Sequence, residues 1–319
     1  MHERAPLSEA LALRAKLNAA IRDFFAERGV LEVETPILSE AGNTEPNIES
    51  FATTFSGHVA AGSRERWMRT SPEHALKRLV ALGIGDCYEL GRVFRNGEAG
   101  RRHNPEFTLL EWYRVGWDHR RLIGETVEIV QRALALAARK AEVRELTYRD
   151  LFRTELGIDA LLDPVETLAA ALADVRIDGG GLSRDDWLDL VLTHKLQPAF
   201  PRNRITVIRD YPATQSALAK IRDGDPPVAE RFELFLGPHE LANGYHELTD
   251  PAEQRARFER DNARRRARGQ RGMPIDERFL AALANMPGCA GVALGVERLL
   301  MHMTDGDIGD VLAFPFAEV

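Results

Sequence analysis

The stretch Cys87-Tyr88-Glu89-Leu90-Gly91-Arg92-Val93-Phe94-Arg95, answered after a polar loop by Glu106-Phe107-Thr108-Leu109-Leu110-Glu111-Trp112-Tyr113-Arg114-Val115, decides the fold. Both runs read as strands, and the loop Asn96–Pro105 makes them an antiparallel hairpin with a long, basic tip. Side chains alternate across a strand, so Glu89, Gly91, Val93 and Arg95 share a face of the first, and Phe107, Leu109, Glu111 and Tyr113 share a face of the second. Arginine, two carboxylates, a phenyl ring and a phenol on a buried face need partners. A ligand with phosphates, an aromatic base and an amine supplies them. Arg95 would fork onto a phosphate, Phe107 would stack on a base, and Glu111 and Tyr113 would meet a cation. A solvent-exposed sheet edge with incidental charges fits the same pattern.

Outward from the hairpin, the pattern predicts a helix from Ser8, as cap, to about Arg28, with Leu13, Leu17, Ile21 and Phe24 on one side and Gly29 as stop. Short strands are expected at Val30–Glu34, before Pro36, and at Phe51–Val59. Ser71-Pro72 opens a helix that ends at Gly83. A helix over His119–Lys140 leads into a mostly helical middle, Leu146–Pro201. Strands follow at Ile205–Ile208 and Arg231–Leu236, then helices at Pro251–Arg268 and Asp276–Asn285. Gly291–Met303 reads as strand, glycine turn and helix, and Val311–Pro315 as a last strand. Strands and helices in irregular order, with hairpins, give an α+β class built on an antiparallel sheet flanked by helices.

Composition narrows the function classes. The chain has 319 residues with 44% hydrophobic and 29% charged residues, enough for a real core. Net charge is −7, which argues against a protein whose main business is gripping a phosphate backbone. Cys87 and Cys289 cannot make a disulfide framework, and a reducing cytoplasm is expected. Apolar runs fall far short of a membrane span, and Met1–Arg14 lacks a secretory h-region. Arg255–Arg271 is a strong basic run. It reads either as a solvated helix face or as a docking surface for an acidic partner or RNA.

Three further segments carry chemistry. In Gly291–Arg298, a small-residue strand turns through Gly295 into a helix, which would let a ligand approach the backbone, with Arg298 in the first helical turn. In His239–Glu247, a turn is expected at Asn243-Gly244. Glu240 and Glu247 would then converge on one magnesium completed by phosphate oxygens. Taken by itself the segment reads more simply as two solvated glutamates around a hairpin turn, and His239 and His246 read as polar fillers without a third ligand. Ser71, Pro72 and Glu73 form a helix N-terminus with an acidic first turn.

Taken jointly, these segments resemble the signature motifs of class II aminoacyl-tRNA synthetases. Gly29–Pro36 is similar to motif 1, Phe94–Asn96 with Arg102–Phe107 to motif 2, and Gly291–Leu300 to motif 3. His103–Phe107, Glu240–Asp250 and Thr70–Leu79 resemble the lysyl subgroup. Motif 1 lies within the first forty residues, leaving no room for an N-terminal OB-fold that reads an anticodon. A single catalytic domain over 1–319 is expected. That architecture, with Glu111–Arg114 and Ala293, is similar to the stand-alone lysyl paralogues that modify elongation factor P.

The resemblance implies ATP as substrate with Mg2+, (R)-β-lysine (lysine more weakly) as the acid activated, a lysine of elongation factor P as acceptor, and a cytoplasmic homodimer without stable tRNA binding. It implies that Arg95 and Arg298 stabilise charge at the reacting phosphate. Asn96, His103, Asn104, Phe107, Glu240, Leu241 and Gly295 would hold ATP with them. Ser71, Pro72, Glu73, Tyr113, Glu247 and Ala293 would line the amino-acid pocket, with Glu111 and Glu253 as further candidates for ammonium groups. Magnesium would fall to Glu240 and Glu247. One departure stands out: motif 2 usually has glutamate directly after Arg-Asn, whereas this chain has Gly97 and then Glu98. Either Glu98 substitutes through a shifted loop or the Gly97 backbone reads the base. A truncated tRNA-charging enzyme and a catalytically silent paralogue are the competing expectations.

Overall fold

The computed structural model describes residues 6–58, 60, 62–177 and 180–319. Helix α1 (Leu7–Ala26) leads to β1 (Leu31–Glu32), β2 (Leu38–Ser39), β3 (Ala52–Thr54) and β4 (Glu65–Met68). Then come α2 (Glu73–Ala81), β5 (Cys87–Phe94), β6 (Glu106–Val115), α3 (His119–Leu136) and β7 (Glu142–Thr147). Three helices, α4 (Tyr148–Leu156), α5 (Val165–Ala170) and α6 (Arg184–Val191), precede β8 (Arg204–Pro212), β9 (Ile221–Arg222), β10 (Val228–Leu236) and β11 (His239–His246). The chain closes with α7 (Pro251–Ala267), α8 (Glu277–Leu283), β12 (Cys289–Gly295), α9 (Val296–Thr304) and α10 (Ile308–Val311).

Among the described residues one nine-stranded sheet runs in the order β1-β5-β6-β12-β11-β10-β8-β7, with β9 beside β10. The β1–β5 and β7–β8 pairs are parallel and the rest antiparallel. The expected hairpin is β5–β6, in the register that sets Glu89 opposite Glu111 and Val93 opposite Phe107.

Alternation along these strands gives the sheet two unlike faces. Tyr88, Leu110, Trp112, Val292, Leu294 and Phe232 point to one side. There they pack on Leu17, Ile21, Phe24 and Phe25 of α1, Val130 of α3 and Leu300 of α9. Each large apolar side chain so buried contributes about 1.5–3 kcal/mol, so this layer fixes the register of the whole sheet. The opposite face carries Glu111, Tyr113, Gly291, Ala293, Asn243 and Glu233, which are cross-strand neighbours. That face is the floor of the site.

Several sequence expectations change. Ser8 is not the cap of α1; Pro6 holds the N-cap position, without a side-chain cap bond. The strand Val30–Glu34 contracts to β1, and Phe51–Val59 to β3, with Val59 outside the described residues. Asn243-Gly244 makes no turn, because β11 runs straight through it. A Cβ at Gly244 would lie 2.5 Å from the Phe232 ring and 2.9 Å from Val292, so glycine serves close packing there. Val311–Pro315 is no strand: Val311 ends α10, and it and Leu312 are buried in the core beside α1. β7 was not foreseen; its half-exposed, mostly polar residues lack a strong period. No helix is long and apolar enough to cross a membrane among the described residues.

Candidate active site

A cavity of about 1340 Å³ lies over the polar face of the sheet. Residues from all three separated segments, among them Arg95, Phe107, Glu240, Glu247, Gly295 and Arg298, line it together. Its two ends differ in chemistry.

One end is an acidic pocket below α2. Ser71 Oγ accepts the Glu73 N–H at 3.0 Å, which starts the helix, and donates to Glu111 Oε2 at 2.6 Å. Tyr113 donates its hydroxyl to Glu111 Oε1 at 2.8 Å. One turn into α2, Lys77 is 1% exposed and its Nζ lies 2.5 Å from both Glu73 Oε1 and Glu247 Oε2. Three carboxylates thus share the pocket with one ammonium, which contacts two of them, an imbalance that burial makes costly. Glu247 Oε1 has no hydrogen-bond partner among the described residues. Burial pushes the Glu111 carboxyl up to about 8, with Glu73 adding to the shift and the Ser71 and Tyr113 hydrogen bonds opposing it. Burial pushes Glu247 up to about 8 against the pull of Lys77. Burial lowers the Lys77 pKa, but Glu247 and Glu73 together outweigh it and the net shift is upward. Gly291 completes the pocket, since a Cβ there would sit 2.3 Å from the Tyr113 ring and 2.6 Å from Glu247 Oε1.

The other end holds guanidinium groups with little to neutralise them. Arg95 reaches Thr70 O only at 3.5 Å and Glu98 Oε1 at 3.8 Å, and lies 5.1 Å from the Phe107 ring centroid. Arg298 donates to Glu240 O at 2.8 Å and to His103 Nε2 at 2.8 Å. Burial first, and then Arg298, lower the His103 pKa, so the ring stays neutral near pH 7 and its Nε2 accepts. Gly295 has an ordinary backbone, φ −78°, and a Cβ would meet nothing closer than Arg298 at 3.9 Å. The open space in front of it admits a ligand.

Most expected residues line this cavity, including Ser71, Pro72, Glu73, His103, Asn104, Leu241 and Ala293. Asn96 and Gly97 do not. Both are exposed, the Asn96 backbone is bridged to Glu49, and Gly97 turns the loop outward with φ +85°. Glu98 does line the cavity, which favours the shifted-loop alternative. Asn104 uses its amide on the protein: Nδ2 donates to Glu106 O at 2.7 Å and Oδ1 accepts the Phe316 N–H at 2.9 Å. Glu253 pairs with Arg257 and lies outside the lining.

The shared magnesium on Glu240 and Glu247 does not follow from this geometry. Without a turn, seven residues of extended chain separate the two carboxylates by on the order of 20 Å. A register shift opposite Leu234 and Phe235 puts both on the cavity face, but at opposite ends. Glu240 lies 3.7 Å from Arg298, whereas Glu247 holds Lys77. Glu89, on the hairpin face, is tied to Arg69 at 2.6 Å and accepts the Thr35 hydroxyl at 2.7 Å, so it braces motif 1.

Residues that sequence reasoning missed include Lys77, signalled only by its four-residue spacing from Glu73, and Gly291. Arg231 and Glu233, an ion pair on the far floor, also went unrecognised. His246 has neighbours the spacing did not reveal: on the back of the sheet its ring, His119 and Glu230 have ligand atoms within 4.8 Å of one another. Arg222 already matches that cluster's charge, 3.0 Å from both Glu230 and Asp210.

The family described as tRNA synthetases class II (D, K and N) matches residues 1–318. The chain is 45% identical over 313 residues to an elongation factor P–(R)-β-lysine ligase of Mannheimia succiniciproducens, covering 97% of this chain and 95% of the relative. It is 45% identical over 311 residues to the protein of that name from Vibrio cholerae, at 96% and 95% coverage. It is 46% identical over 310 residues to the one from Proteus mirabilis, at 96% and 94%.

Proposed function

The chain belongs to the class II tRNA synthetase family, and on that premise we propose that it is an ATP-dependent, AMP-forming ligase. It activates (R)-β-lysine, and lysine more weakly, and joins it to the ε-amino group of one lysine of elongation factor P. The observation that carries the reading is the acidic pocket at one end of the cavity: Glu73, Glu111 and Glu247 outnumber Lys77, and Glu247 Oε1 is left without a partner. A diamino acid brings two ammonium groups, the charge that balances the excess, while its carboxylate points toward Arg95.

The chemistry needs no side-chain nucleophile. The substrate carboxylate attacks the α-phosphorus of ATP, the bond to the β-phosphate oxygen breaks, and pyrophosphate leaves. Arg95 and Arg298 face the charge that grows on the phosphate, and their preorganised position lowers the barrier. Phe107 offers a stacking face for adenine, and Glu98 a carboxylate near it. Glu240, half-exposed beside Arg298, is the residue that would hold magnesium together with phosphate oxygens. Bound there, the ion would neutralise phosphate charge. In the second half-reaction the neutral acceptor amine attacks the carbonyl of the mixed anhydride, AMP leaves, and a proton is released.

The protein works as a homodimer in the cytoplasm, beside the translation factor it modifies. Leu31, Ile37 and Leu38, 52%, 39% and 47% exposed around Pro36, form the apolar surface expected at its interface. Pyrophosphate exchange with (R)-β-lysine and lysine, followed by intact-mass measurement of elongation factor P, tests the whole reading. Exchange favouring β-lysine with a mass gain of one lysyl residue is expected. Exchange that charges tRNA and leaves the factor unmodified would sink it.

A further inference from the structure

Helix α7 carries arginines that the two substrate ends do not use. Arg260, Arg264 and Arg268 are four residues apart and form one stripe. All three are exposed and all line the mouth of the cavity. Other arginines of this helix are engaged in the fold: Arg255 pairs with Glu277, Arg257 with Glu253, and Arg265 with Glu49. Arg268 donates to Asn47 at 2.7 Å and lies 3.6 Å from Asp186. The side chains of Arg260 and Arg264 make no hydrogen bond or salt bridge among the described residues, and feel only longer-range attraction, both from Asp261 and Arg264 also from Asp186. The helix dipole favours cations in the last turn, but it does not account for Arg260 in the middle. Like charges at this spacing weaken the helix that bears them.

We propose that this stripe docks an acidic surface of the acceptor protein, around the lysine that enters the cavity. The proposal rests on the reading of the enzyme as a ligase acting on a protein lysine. Both small substrates find their groups on the sheet floor, whereas α7 forms the rim. An acceptor side chain that reaches the floor must bring its own protein surface onto that rim. Asp185 and Asp186 line the same mouth. They repel a continuous phosphate backbone, but suit a protein whose lysine points inward and whose carboxylates meet the stripe.

The test compares wild type, the double variant Arg260→Glu/Arg264→Glu, and Arg266→Glu, which makes a like charge change at an exposed position outside the cavity lining. Pyrophosphate exchange and elongation factor P ligation are measured on the same preparations at several salt concentrations. The double variant should raise the acceptor KM about tenfold or more relative to its effect on exchange, and flatten the salt dependence of kcat/KM. Arg266→Glu should change both by less than about twofold. An unchanged acceptor KM and salt slope overturns the proposal. So does a proportional loss of exchange, which would assign the stripe to the first half-reaction, or a loss confined to tRNA binding. Exchange without ligation in wild type refutes the functional reading itself, and the docking surface with it.

Discussion

At the amino-acid end of the cavity every charged group meets another protein group: Lys77 bridges Glu73 and Glu247, and Glu111 accepts from Ser71 and Tyr113. At the end proposed for the nucleotide the pairings are long: Arg95 lies 3.8 Å from Glu98, and Arg298, 3.7 Å from the Glu240 carboxylate, donates to a carbonyl and a neutral imidazole. The first network belongs to the folded protein and exists before substrate arrives. The second, on the proposed reading, would be completed by the ligand. Substitutions at the two ends should therefore separate folding from catalysis.

The largest effect is expected at Glu247. Glu247→Gln leaves Lys77 with one carboxylate and removes a contact for the substrate ammonium. Above pH 8, where Glu247 is ionised, breaking its buried pair with Lys77 costs the fold about 3–5 kcal/mol and the melting temperature should drop. The lost contact to the substrate ammonium should lower exchange by roughly 10²–10³-fold. Arg95→Ala should lower kcat by a similar or somewhat smaller factor, about 10²-fold, yet leave the melting temperature almost unmoved, because the fold does not use its charge. Equal thermal losses in both variants would erase the distinction between the ends. Calorimetry beside exchange kinetics decides it.

The comparison also predicts how pH acts. Glu111 and Glu247 are raised from the ordinary 4.5 to about 8 in the ligand-free pocket. Their contribution to folding is therefore complete below pH 4.5 and is lost as pH rises through about 8. Ammonium groups of a substrate favour the ionised carboxylates, so binding releases protons. Amino-acid affinity should rise from pH 6 to pH 8, by up to about tenfold per unit for each proton released, and then level off. Calorimetric titration in buffers of different ionisation enthalpy counts those protons. A flat profile would mean the carboxylates are already ionised.

Legibility from sequence followed the same division. The hairpin, motif 3 and the helix after Ser71 could be read because alternation and glycine placement are local signals. Lys77 could not, since a lysine one turn after a glutamate looks like a surface pair until the fold closes over it. The Asn243-Gly244 turn failed for the opposite reason. The local signal is strong, but Phe232 and Val292 crowd that point and only glycine lets the strands approach. The convergence of Glu240 and Glu247 on one ion rests on that turn, and it does not follow from a strand that runs straight through. Asn104 lines the cavity as expected, but its bonds to Glu106 and to Phe316, 212 residues away, could not be read from the sequence.

Between the two ends lies Ala293, paired across the sheet with Glu111 and Asn243. Its methyl narrows the floor where the α-carbon of a substrate would rest. Ala293→Gly should raise lysine activation relative to β-lysine by about tenfold, the value of one methylene-sized contact. An unchanged ratio in competitive exchange would show that alanine serves strand packing alone.

The smallest effect is expected at Glu98, where the nucleotide end differs from the usual motif. Glu98 lines the cavity while Gly97, exposed with φ +85°, does not, so on the proposed reading the base would meet the carboxylate that follows the glycine. Glu98 also lies 3.8 Å from Arg95, so its charge restrains the guanidinium, and on the proposed reading it would also accept from the exocyclic amine. Glu98→Gln keeps the shape and an acceptor oxygen but removes the charge. It should raise the KM for ATP a few-fold and relax discrimination against GTP by a similar factor, with amino-acid KM and melting temperature unchanged. Gly97→Glu restores the usual order of residues, but forces a side chain onto a left-handed backbone at the rim. It should not rescue Glu98→Gln. Rescue would mean that the loop swings to bring position 97 into the cavity when ATP binds, and that this end is assembled by its ligand to a greater depth than its loosely paired arginines already imply.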